Sequence, residues 1–219
     1  MPPEPTTKRT VAFVDGQNLF HRAKAVFGYT HPNYDVMALA KAVCAAKGFE
    51  LVQVRFYTGV PDQSDNPLWH AFWTNKLAAM RRAGIHVFSR SLRYHTERVP
   101  LPDGSTVPQR IGREKGIDVR IALDIVRLGY RGDYDVALLF SQDQDLSEVA
   151  DEVRTLAAQQ GRWLKIASAY PSSPSSTYNI GVDRTDWIPV DRATYDACID
   201  PTDYRPKHSG GDPGVDRAC

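Results

Sequence analysis

The stretch YDVALLFSQDQD, residues 134–145, decides the fold. Residues 134–140 are apolar almost without a break, the pattern of a strand covered on both faces. The next five turn polar at once and carry two carboxylates, Asp143 and Asp145. Outward from it, strand-like runs alternate with helical ones. TVAFV (10–14) and LVQVRFY (51–57) read as strands, as do IHVF (85–88) and 163–169. Helices are expected over 17–26, 36–46, 68–82, 115–128 and 146–158. In the third of these, Leu68, Phe72, Leu77 and Met80 share an apolar face, and Trp69 and Trp73 are expected to pack on the sheet or on a partner subunit. This order predicts an α/β fold, a mainly parallel sheet with helices on both faces. Residues 92–113 break the rhythm. Asp103-Gly104 between two strand-like arms predicts an inserted β-hairpin.

The chain has 219 residues and a net charge of +1, which excludes a histone-like polycation and an acidic tail. One domain with decorations is expected at this length. The longest apolar runs fall well short of the ~20 residues that span a bilayer. No Lys/Arg-led apolar segment opens the chain, so no signal peptide is expected. Three cysteines, Cys44, Cys198 and Cys219, form no C-x-x-C, which argues against a disulfide framework or a structural zinc. The expectation is a cytoplasmic protein: a flexible leader over 1–9, a folded unit over 10–200 and a disordered tail over 201–219.

Ligands bind open parallel sheets at the carboxyl ends of the strands. Asp15 follows the first strand, Asp143 and Asp145 follow the 134–140 strand, and Asp118 opens a helix in EKGIDVRIALD. Each has an ordinary reading, as a helix cap or turn former. Carboxylates gathered at one edge repel unless a cation lies between them. A hard divalent ion, Mg²⁺ or Mn²⁺, suits such oxygen ligands. Asp124, six residues past Asp118, is rotated about 120° away on a helix, as a supporting or a structural group. Asn18 is a candidate to orient Asp15 or a phosphate, or else a first-turn helix residue. Ser141 is a candidate to orient a carboxylate or a water, or else a turn former.

VAFVDGQNL, EKGIDVRIALD and LLFSQDQDL resemble the three motifs of the NYN domain, a PIN-like nuclease group that includes LabA-like bacterial proteins. Gln142 stands where the family's third motif has glycine, and Leu146 where it has Phe. The resemblance implies a PIN-like three-layer α/β/α sandwich. It further implies metal-dependent hydrolysis of RNA, with Asp15, Asp118, Asp143 and Asp145 as metal-holding, catalytic residues. In-line attack would then break the bond to the 3′ oxygen.

Charge is unevenly spread. Residues 81–115 hold eight Arg or Lys against three acids, and 133–152 hold seven acids and no Arg or Lys. A basic hairpin beside an acidic site suits a phosphate-gripping arm, with Arg93, Arg110, Arg113 and Lys115 on phosphates and Tyr94 stacking on a base. The plain reading is a solvated hairpin whose arginines pair locally. RNA is the expected partner, with a homodimer as a further possibility and no membrane. The alternative is an NYN module that binds RNA or protein without cutting. A lesser one is a pyridine-ring hydroxylase, against which stands the lack of G-x-G-x-x-G and of a haem or iron ligand set.

Overall fold

The computed structural model describes residues 2–102, 104–177 and 179–206. In chain order its elements are β1 (Arg9–Asp15), α1 (Gly16–Phe27), α2 (Val36–Lys47), β2 (Glu50–Val60), α3 (Pro67–Arg82) and β3 (His86–Ser91). Then come β4 (Arg93–Pro100), β5 (Thr106–Arg113), α4 (Ile117–Arg131), β6 (Val136–Phe140), α5 (Ser147–Gln160), β7 (Lys165–Pro171), β8 (Asp186–Val190) and α6 (Arg192–Asp196). A 3-10 turn, Gln144–Leu146, precedes α5.

Six strands form one sheet in the order β3-β2-β1-β6-β7-β8, and every pairing in it is parallel. β1 and β6 lie side by side although they are remote in sequence. The chain therefore winds one way from β1 towards β3 and the other way from β6 towards β8. The crevice at such a reversal is where open α/β sheets take ligands.

Side-chain alternation makes the two faces. Ala12 and Val14 of β1, Phe56 of β2 and Leu138 of β6 face α1, α2, α3 and α6. Val11, Phe13, Ala137 and Leu139 face α4 and α5. β6 is buried at all five positions, as its unbroken apolar run requires. Each such Val, Leu or Phe contributes roughly 1.5–3 kcal/mol when taken from water.

Polar residues fix where helices start. Asp15, Asp35 and Asn66 cap α1, α2 and α3 through backbone N–H groups, and Pro67 opens α3. α4 begins at Ile117 rather than 115, because Gly116 takes φ +75°, a left-handed conformation open to glycine. Trp73 packs on Phe56 with ring centroids 5.9 Å apart, so this part of α3 is spent on the sheet.

β4 and β5 form their own antiparallel ladder, from Arg93 opposite Arg113 to Pro100 opposite Thr106. Asp103 of the expected turn lies outside the described residues, as do residues 207–219 of the expected disordered tail. Tyr204 meets Phe72 edge-on at 6.2 Å, and Lys76 Nζ lies 5.0 Å over its ring.

Asp124, expected as a supporting or a structural group, lies among arginines. It is 1 % exposed and turns towards β2, where Oδ2 accepts from Arg55 at 3.0 Å and from the Tyr57 hydroxyl at 2.9 Å. Its Oδ1 meets Arg120 at 2.9 Å and Arg127 at 3.1 Å. Burial pushes its carboxyl up, but Tyr57 and the guanidinium groups outweigh that and hold it below the ordinary carboxylate range. The rotation about α4 that separates it from Asp118 carries it into this structural knot.

Candidate acidic site at the sheet reversal

β1 and β6 end level, with Val14 opposite Phe140. Asp15 and Ser141 thus leave the sheet together at the reversal. Asp15 is 6 % exposed. Its Oδ1 accepts from Asn18 N at 3.0 Å, and its Oδ2 from the Ser141 hydroxyl at 3.3 Å. The Ser141 oxygen in turn accepts from Asp143 N at 3.1 Å, so one hydroxyl ties both acidic residues. Asn18 Oδ1 accepts from Gln142 N at 2.9 Å, which fastens the turn after β6 to α1. Asn18 and Ser141 act as positioners of this turn.

Asp143 caps the 3-10 turn, accepting from Asp145 N at 3.1 Å. Asp145 itself is exposed on that turn, further from the buried carboxylates. Asp118 sits half-buried in the first turn of α4.

Sequence reading counted Glu114 only as charge. At the end of the hairpin it folds back on β2, and its carboxylate accepts from the backbone N–H of Gly59. A Cβ at Gly59 would lie 2.7 Å from Glu114 Oε2 and 2.5 Å from Leu92, so both side chains close over a bare backbone. Burial, then the Asp15 charge, then that of Asp118, push Glu114 up to about 8, against the Gly59 bond that lowers it. Burial likewise pushes Asp15 up to about 6; Asp143 and Asp118 add to this, while the Asn18 and Ser141 bonds oppose it. The one signal in the sequence was an acid four residues before Asp118 in the quoted motif.

The four acids Asp15, Glu114, Asp118 and Asp143 are thus coupled through space. They do not form a closed cage: among the described residues no three His, Cys, Asp or Glu converge closely enough to hold a bare ion. The four expected ligands are therefore not brought into one coordination shell. The donor set nonetheless fits a hydrated divalent ion. Its donors are carboxylate oxygens, burial and the neighbouring acids raise the proton affinity of Asp15 and Glu114, and Mg²⁺ is ordinarily held by one or two carboxylates plus water.

The turn after β6 is clamped from the far side. Gln144 Nε2 donates to Gly181 O at 3.0 Å and its Oε1 accepts from Asp183 N at 3.0 Å, while Gln142 Nε2 donates to Ile180 O. Arg184 of the same loop pairs with Asp151 on α5 and does not reach the acids.

The basic candidates are dispersed. Arg110 lies 4.3 Å over the Tyr94 ring, and Arg113 pairs with Glu97 at 2.6 Å. Arg93 stands opposite Arg113 across the hairpin, and Lys115 is exposed just before α4. Arg90 approaches Gly116, the residue before α4, closely enough that a Cβ there would meet its guanidinium at 2.8 Å.

The NYN domain profile matches residues 9–177, and the chain belongs to this family, a PIN-like group of nuclease type. No curated protein matches the sequence. A crystal structure of a protein of unknown function from Vibrio parahaemolyticus is similar at 18 % identity and TM-score 0.52. That alignment covers 90 % of this chain and 99 % of the other, and shows a shared fold. A ribokinase from Giardia lamblia aligns at 11 % identity and TM-score 0.38, over 84 % of this chain and 58 % of that one. Among the described residues no helix is long and apolar enough to cross a membrane.

Proposed function

We propose that this NYN protein is a metal-dependent ribonuclease that hydrolyses RNA phosphodiester bonds at the acidic site. One observation carries the reading. A buried carboxylate, Asp15, sits at the sheet reversal with its proton affinity raised by burial and further by Asp143 and Asp118, in a chain of a nuclease-type family. Such a charge arrangement is relieved by a divalent cation.

Asp15, Asp118 and Asp143 would hold Mg²⁺ or Mn²⁺, with Asp145 at the outer edge and Glu114 on the inner side. Bound there, the ion lowers the pKa of a water and offsets charge on the phosphate. The chain's own residues do the rest. Ser141 fixes Asp15 and the Asp143 backbone relative to each other. Asn18 holds the turn that carries Asp143. Glu114, raised towards neutral pH on the inner side, would take up or release a proton beside the phosphate. Arg93, Arg110, Arg113 and Lys115 are the proposed phosphate contacts.

A second reading, RNA binding without cleavage, is favoured by the lack of a three-acid cage among the described residues. End-labelled single-stranded RNA incubated with Mn²⁺, Mg²⁺ or EDTA decides between them. Cleavage by the wild type that disappears in Asp143→Asn and in EDTA supports the nuclease. Binding without cleavage supports the second reading. Equal cutting by both proteins points to a contaminant and refutes the site.

A further inference from the structure

A cleft of about 380 Å³ opens between α1, the start of α3 and the hairpin. That is within the roughly 300–1,000 Å³ of small-molecule sites. Its walls are aromatic: Phe20 from α1, Trp69 and Trp73 from α3, and Tyr94 from β4. Trp69 stands edge-on to Phe72 at 5.1 Å, which fixes its ring. The Tyr94 hydroxyl accepts from Asp62 N at 2.8 Å, and Arg110 covers one face of its ring. The rim carries the amides of Gln17, Asn66 and Gln109. Aromatic walls with an amide rim match the faces and hydrogen-bonding edge of a nucleobase.

The cleft adjoins the acidic site. Gln17 lies two residues after Asp15. A Cβ built on Gly59 would meet Leu92 at 2.5 Å, Glu114 Oε2 at 2.7 Å and Gln17 Nε2 at 3.2 Å. Gln17 and Leu92 are walls of the cleft, and Glu114 belongs to the acid cluster. The two sites therefore share a boundary at Gly59, and one nucleotide can present its phosphate to the acids and its base to the cleft.

We infer that this cleft is a base-binding subsite that takes one unstacked nucleobase of an RNA strand lying across the acidic site. The inference rests on the ribonuclease reading for its substrate class and makes Trp69 and Tyr94 the residues that grip the base. Binding driven by stacking depends on the base, whereas binding to phosphate depends on salt and is blind to it.

The test measures binding of two fluorescein-labelled ten-nucleotide strands in EDTA, where no metal-dependent cutting occurs. One is ordinary single-stranded RNA, and the other has the same ribose-phosphate backbone with every base removed. Wild type is compared with Trp69→Ala and with the milder Tyr94→Leu, which keeps an apolar wall. The expected result is a preference of the wild type for the base-bearing strand. Each variant should weaken that strand roughly 5- to 100-fold, the scale of one base–aromatic stack. Trp69→Ala should change neither binding of the abasic strand nor the salt slope. Equal weakening of both strands, or no change in either, overturns the subsite. Base-dependent binding lost in both variants, in a protein that cuts nothing with Mn²⁺, keeps the subsite and discards the nuclease. Cleavage with Mn²⁺ but indifference to both variants keeps the nuclease and discards the subsite. No binding of either strand overturns the subsite outright.

Discussion

Replacing Glu114 by Gln removes the cost of burying a charge beside the other carboxylates at the sheet reversal. Gln keeps an oxygen to accept from Gly59 N–H, so the local geometry survives while the charge is lost. In the wild type the Glu114 carboxyl rises from 4.5 to about 8. At 1.36 kcal/mol per pH unit, that is at most ~5 kcal/mol of native-state penalty once the group ionises. Partial exposure and salt reduce this to about 2 kcal/mol. The sign follows from proton counting. Between pH 4.5 and 8 the folded chain keeps a proton that the unfolded chain has released, so wild-type stability falls as pH rises through that window. Glu114→Gln removes that slope. In EDTA at pH 9 it should melt about 4–8 °C above wild type, on the scaling for a chain of this length, and near pH 4.5 the two should coincide. Mn²⁺ at pH 8 should raise the wild-type melting temperature and raise the variant's less. Melting followed by circular dichroism across this pH range is the assay. A variant no more stable than wild type at pH 9 would refute the cost of burying this charge beside the other acids.

Two further outcomes are expected. Ser141→Ala removes the hydroxyl that serves both Asp15 and Asp143. It should cost about 1 kcal/mol in urea unfolding and lower metal-dependent cleavage about tenfold, whereas full cleavage would show that the hydroxyl positions nothing. Asp124→Ala leaves Arg55 buried without its carboxylate. It should cost ~3–5 kcal/mol in denaturant midpoint analysis, with cleavage per folded molecule retained; selective loss of cleavage in folded protein would return Asp124 to the site.

The sequence was most legible where one local pattern carried both structure and chemistry. The apolar run 136–140 can only be a strand covered on both sides, and it ends where polar residues begin. The sheet, the hairpin and the position of Asp15 beside Ser141 follow from such runs and their order. Glu114 was not legible, because its neighbours Gly59 and Asp15 reach it only when the hairpin returns the chain to β2. The cleft was illegible for the same reason. Phe20, Trp69 and Tyr94 come from three elements, and only Tyr94 reads from the sequence as a base-stacking residue. Of the two glutamines in SQDQD, Gln142 was visible as a departure from the family motif. Their work, gripping residues 180–183, depends on a loop nearly forty residues away.

Cap and ligand looked like rival readings of Asp15 and Asp143, yet the geometry makes them one. A capping carboxylate is oriented by backbone N–H groups. Asp15 Oδ1 is fixed by Asn18 N, and Asp143 Oδ1 by Asp145 N. Those bonds hold each carboxylate at the end of its strand without a flexible stem, and N–H donors favour the ionised form. A cap also needs only one accepting oxygen, which an amide supplies as well as an acid. Asparagine at position 143 should therefore keep the turn and lose the charge. Loss of metal-dependent cleavage in Asp143→Asn with an unchanged melting temperature would report on charge alone. Loss accompanied by a fall in melting temperature would mean that the acid serves the turn first.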